Sequence, residues 1–185
     1  MDKSKIILQI RRLAIASDSF QQTISLIQHM ENIKIKNSDD VFPPMMAGVI
    51  TTYAKNFNEA SGLGPLPSSY ENFPNDEFKI AHEKVIEARN KLYAHRDTDN
   101  HSYTSKNEIN NAYTVQVSLN ESNDAFQFMP ILIDIHPDKL SKIKDLILFQ
   151  IERLKEDLNK KLSVTVDFKK SYSRGVTYTL GVDFP

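Results

Sequence analysis

The chain has 185 residues, with 23 basic and 24 acidic side chains, five histidines and a formal charge of −1. That length suits one domain with a sizeable core and would cramp two, and the near-cancelled charge leaves no general electrostatic grip on nucleic acid, so any RNA or DNA site must be a local patch. The absence of cysteine excludes a disulfide framework and thiolate catalysis, and leaves His, Asp and Glu as the ordinary metal ligands.

The opening "MDKSKIILQIRRLAIASDSF" spaces its apolar residues helically around Arg11 and Arg12, unlike a cleavable leader. Nothing approaches the roughly 18 apolar residues of a membrane span, so no membrane association and a cytoplasmic location are expected. Ile6, Ile10, Leu13, Phe20, Ile24 and Ile27 follow steps of three and four, which predicts a long amphipathic helix from about Lys5 to Asn32. "SDDVFPPMMAGVITTYAKNF" predicts a second helix, with Pro43 and Pro44 in its first turn, where a missing N–H costs nothing. Ser61 to Asp76 holds two glycines and three prolines and reads as a loop. Asn75 and Asp76 look like the cap of a third helix running to about His95.

Beyond that point the texture changes. "DTDNHSYTSKNEINN" is polar and turn-rich, and "YTVQVSL" and "FQFMPILID" are β-type runs, so a hairpin is expected over about 113–134, with Pro130 at an edge or bulge. His136 and Pro137 should open a fourth helix carrying Leu140, Ile143, Ile147, Ile151, Leu154, Leu158 and Leu162 on one stripe. From Ser163 the alternation of Val164, Val166 and Phe168, and later Val176, Tyr178 and Leu180, predicts a tail of β character. The expected fold is mainly α, a bundle of about four helices with an inserted β-hairpin, as a single domain over 1–162 with an extension over 163–185.

Most of what the chain says about chemistry lies in "EARNKLYAHRD", Glu87 to Asp97. Phe78, Ala81, Val85, Ala88 and Leu92 form the expected buried stripe of the third helix, and His95 continues it. His82, Ile86, Arg89, Tyr93 and Arg96 lie one step around, at its margin. Arg89 and His95 are six residues apart, so in a straight helix they stand roughly 120° apart and about 9 Å along the axis, too far to act as a contacting pair. Either the helix distorts at its end, or the two groups meet through a partner. The plain structural reading is a histidine against the last carbonyls of a helix and an arginine whose stem covers apolar surface.

"ARNKLYAHRD" resembles the Arg-x4–6-His motif of the HEPN superfamily, with Arg89, the polar Asn90 and His95 in the motif positions. The long first helix and "MMAGVITTYAKNF" before the motif helix are similar to the family as well, over residues 1 to 97. The resemblance implies a small helical bundle that dimerises, so that two motif helices form one cleft, and a metal-independent endoribonuclease of a toxin, antiviral or abortive-infection system. His95 would then exchange protons near neutral pH, Arg89 would hold the scissile phosphate through paired N–H groups, and Asn90 would orient one of them. Lys91, Arg96, His82 and Tyr93 would contact the RNA. No metal or other cofactor is implied, and an antitoxin or regulatory protein is a possible partner. A second function stays open: a catalytically inactive HEPN-like dimer that serves as a binding or regulatory module, since activity belongs to the site and not to the fold.

Other patterns point to less. His82 and Glu83 do not make a His-Glu-x-x-His zinc motif, because position 86 is isoleucine. Asp97, Asp99 and His101 read as a solvated turn, since no calcium-loop glycine or distal Glu follows. Lys169 to Tyr178 mixes basic and aromatic residues as single-strand binders do, and a turn between strands accounts for it equally. No phosphate-cradling glycine loop or Gly-x-Ser-x-Gly elbow occurs.

Overall fold

The computed structural model describes residues 3–36, 38–58, 63–90, 114–120, 125–131 and 139–165. Four helices dominate: α1 (Lys3–Asn32), α2 (Phe42–Ala54), α3 (Asp76–Ala88) and α4 (Leu140–Thr165). Two strands, β1 (Thr114–Asn120) and β2 (Ala125–Ile131), pair antiparallel with Thr114 opposite Ile131 and Asn120 opposite Ala125. None of the described helices is long and apolar enough to cross a membrane.

The helical core is built from the stripes that the sequence displays. Ile10, Leu13, Phe20, Ile24 and Ile27 of α1 are buried, and Ala16 and Met30 extend their line. Ser19 and Thr23 are buried on the same helix because each hydroxyl donates to the carbonyl four residues back, Ser19 to Ile15 at 2.9 Å and Thr23 to Ser19 at 2.8 Å. At the end of α1, Lys34 turns left-handed at φ 51° and the Ile35 N–H reaches back to the Met30 carbonyl at 3.1 Å. That six-to-one bond closes the helix and carries Ile35 into the core. Pro43 and Pro44 start α2, where they remove no intrahelical bond.

Packing sets α4 against α1. Lys144, near the start of α4, holds Glu31 at the end of α1 at 2.6 Å, whereas Lys161, near the end of α4, donates to Gln9 at the start of α1 at 2.9 Å. The two long helices are therefore antiparallel. The first helix packs mainly on α4 and α2, and α3 closes the bundle against α4 and α2.

Four expectations need correction. The fourth helix runs through Thr165, so residues 163–165 are helical and not the first residues of a β-type tail, and the domain boundary at 162 falls inside the helix. Alternating Val164 and Val166 suggested a strand, but a helix already held by its ladder of hydrogen bonds extends through a β-branched residue at small cost. The buried face of α4 is wider than the predicted stripe, because Leu146 and Gln150 are also fully enclosed. The loop before α3 contains a 3-10 turn at Ser68–Glu71 that buries Tyr70, with Leu66 buried just before it. Finally, the buried face of α3 is rotated: His82 lies inside, beside Val85 and Ala88, while Phe78 and Ala81 are half-buried. The tail beyond Thr165 and the start of the fourth helix at His136 and Pro137 lie outside the described residues.

Candidate functional site

The third helix positions the site. Asn75 caps it by accepting the Phe78 N–H at 2.8 Å, with Asp76 and Glu77 in the first turn against the positive end of the helix dipole. The helix holds to Ala88 and then opens into a π turn at Arg89 and Asn90. A widened turn of this kind leaves backbone groups and side chains off the regular ladder and is common where a helix carries function. Here it falls on the first two residues of the Arg-Asn-x4-His pattern. The half-buried Arg89 donates from Nη1 to the exposed Asn90 Oδ1 at 3.0 Å, so the amide holds the guanidinium in place. Lys91, Tyr93, His95 and Arg96 lie outside the described residues, as do Asp97, Asp99 and His101.

An open cleft of about 520 Å³ runs along the α3 face that carries His82, Ile86 and Asn90, and the end of the 3-10 turn and the residues after it supply its other wall through Glu71 and Phe73. Glu87 lines it too, and Lys79 and Glu83 face each other across 3.9 Å at its rim. Carboxylates outnumber cations in this lining, so the cleft by itself repels a phosphate. Among the described residues no group of three or more His, Asp or Glu is placed to hold a metal ion.

His82 forms the floor and is only 6% exposed. The rings of Phe57, Phe73 and Tyr53 surround its imidazole, with centroids 4.6, 5.0 and 5.9 Å away. Burial lowers its pKa to about 4, so the ring is neutral at physiological pH. Which nitrogen carries the proton depends on the groups that face each one. Arg153, which can only donate, reaches Gln150 Oε1 at 3.5 Å, so the Gln150 amide nitrogen faces the other way. There it donates to the Tyr70 carbonyl at 2.8 Å. Burial pushes the Tyr53 phenol well above its ordinary range, so it keeps its proton, and its hydroxyl lies 2.9 Å from His82 Nδ1. The other ring nitrogen, Nε2, faces the Glu71 carboxylate at 3.9 Å, and that negative charge favours the tautomer with its hydrogen on Nε2 and the Tyr53 hydroxyl donating to Nδ1.

Arg153 also fixes the wall. Its guanidinium donates to the carbonyls of Ser69, Tyr70 and Asn72 at 2.7, 3.2 and 3.3 Å and lies over the Tyr70 ring at 4.8 Å. The Tyr70 hydroxyl in turn donates to Asp157 at 2.6 Å, and burial followed by that carboxylate raises the phenol's pKa. Neither Gln150 nor Arg153 stood out in the sequence. A fully buried glutamine on an otherwise apolar helix stripe is the signal that could have found the network, but its partners lie far away along the chain.

No protein-family profile matches this chain, and no characterised protein or solved structure matches it. The fold defines a mainly helical bundle, and its chemistry rests on the residues of the cleft and of the Arg89–Asn90 turn.

Proposed function

We propose that the chain is a metal-independent endoribonuclease of HEPN type, working as a homodimer in a toxin or other defence system. The observation that carries this reading is the Arg89–Asn90 pair, set at a π turn at the end of α3 beside an open cleft. Arg89 holds the scissile phosphate and its developing negative charge, and Asn90 keeps the guanidinium aimed. His95 takes the proton of the attacking ribose 2′-hydroxyl or returns one to the leaving 5′-oxygen, with Lys91, Tyr93 and Arg96 along the RNA. The products are a 2′,3′-cyclic phosphate and a 5′-hydroxyl. Six positions separate Arg89 from His95, which on a regular helix is roughly 120° of rotation. Convergence of the two motif groups is then the work of a second copy across a two-fold axis. The β-hairpin and the C-terminal tail are additions to this bundle, and the protein acts in the cytoplasm, under an antitoxin or regulatory partner.

The acidic lining of the cleft favours a second reading, a catalytically inactive dimer that binds a protein partner. End-group analysis separates the two. RNA incubated with the purified protein in EDTA should acquire new 5′-hydroxyl and 2′,3′-cyclic phosphate ends. New 5′-phosphate ends would mean a different chemistry, and no new ends would leave the binding module.

A further inference from the structure

We propose that the cleft beside α3 is a guanine-binding pocket, with the Glu71 carboxylate and the His82 Nε2–H reading the Watson–Crick edge of the base. The argument starts from the 3.9 Å between His82 Nε2 and Glu71 Oε2. That separation is too long for a hydrogen bond of their own. It leaves a donor and an acceptor side by side, open to an edge that offers the complementary pair. The donor is not a surface accident: His82 is 6% exposed and lines the cleft, its Nδ1 is taken by the Tyr53 hydroxyl, and the Glu71 carboxylate favours the proton on Nε2.

The order of groups selects the base. The Nε2–H followed by the two oxygens of one carboxylate makes a row of one donor and two acceptors. Guanine presents the matching row, an acceptor at O6 and donors at N1 and N2. Adenine and cytosine can fill the first two places by offering an amino group to Glu71 and a ring nitrogen to His82, but neither supplies the third. Uracil meets the second carboxylate oxygen with its own carbonyl, which repels it. The flat faces of the base find apolar cover from Phe73 and Ile86. The electrostatics divide in the same way. The carboxylates that repel a phosphate accept N–H groups of a base, while Arg89, bonded to the lining residue Asn90, offers a cation to the phosphate that follows.

As a substrate preference, cleavage next to guanosine, this rests on the ribonuclease reading, but the pocket itself does not require cleavage. The test is binding of the free nucleosides guanosine, inosine, adenosine and uridine to the full chain, followed by NMR line broadening or calorimetry. Guanosine should bind tightest, about ten- to a hundredfold better than adenosine or uridine. Inosine, which lacks the N2 amino group, should fall between. Glu71→Gln, a change at a half-exposed side chain that leaves the melting temperature in place, should abolish the preference for guanosine. Equal binding of all four nucleosides, no binding of guanosine, or undiminished preference in Glu71→Gln would each overturn the pocket. Guanosine binding without RNA cleavage would retire the nuclease and keep the pocket. Cleavage without guanosine binding would do the reverse.

Discussion

Burial holds the His82 imidazole neutral down to about pH 4, whereas an unfolded chain takes up that proton near 6.5. Between these values the unfolded state binds more protons, so stability rises with pH across the window. The contribution is complete above about 6.5 and is lost as the pH falls toward about 4. A series of thermal melts from pH 7.5 to 4.5 should therefore show a falling melting temperature, with a shallower slope in His82→Leu; equal slopes would contradict the account. The same ring depends on Tyr53. Removing its hydroxyl in Tyr53→Phe leaves His82 Nδ1 without its partner, which should destabilise the protein by about 1–3 kcal/mol in denaturant titration. In the sequence His82 sits one step off the apolar stripe and reads as a marginal residue. Its inward position is set by Tyr53 on α2 and by aromatic residues of two loops, none of which helical spacing can name.

At the scale of the elements, local chemistry was readable wherever it was self-contained. Lys5 to Asn32 was expected as a helix and Lys3–Asn32 is observed. The Pro43–Pro44 start of α2 and the Asn75 cap of α3 were likewise visible, because each signal acts within one turn. The end of α4 was not, since a single alternating valine cannot report whether a preceding helix has stopped. The end of α1 offers a direct check. Lys34 occupies the left-handed position at φ 51°, where a side chain is strained and glycine is not. Lys34→Gly should raise stability by up to about 1 kcal/mol despite the greater freedom of glycine in the unfolded chain. A loss of that size would mean that the lysine side chain holds the turn.

For the whole molecule, the decisive contacts join elements distant in sequence, and these were illegible. Arg153 ties α4 to two carbonyls of the 3-10 turn and to the Asn72 carbonyl just after it, beside one wall of the cleft. Arg153→Lys keeps the charge but loses the planar fork, and should cost about 1–3 kcal/mol and weaken any ligand of the cleft. Equal stability in the two proteins would show that a single ammonium suffices. The motif that suggested function, by contrast, was readable from one short segment, and its first two residues lie where the regular helix gives way. Its remaining residues, His95 among them, carry the catalytic half of the account. The measurement that bears on it most directly is cleavage of total RNA in EDTA by the wild type, Arg89→Ala and His95→Ala, with folding of each checked by thermal melting. The account predicts cuts by the wild type that fall by at least about a hundredfold in both variants at similar melting temperatures. Equal cleavage by all three, or none by any, would contradict it.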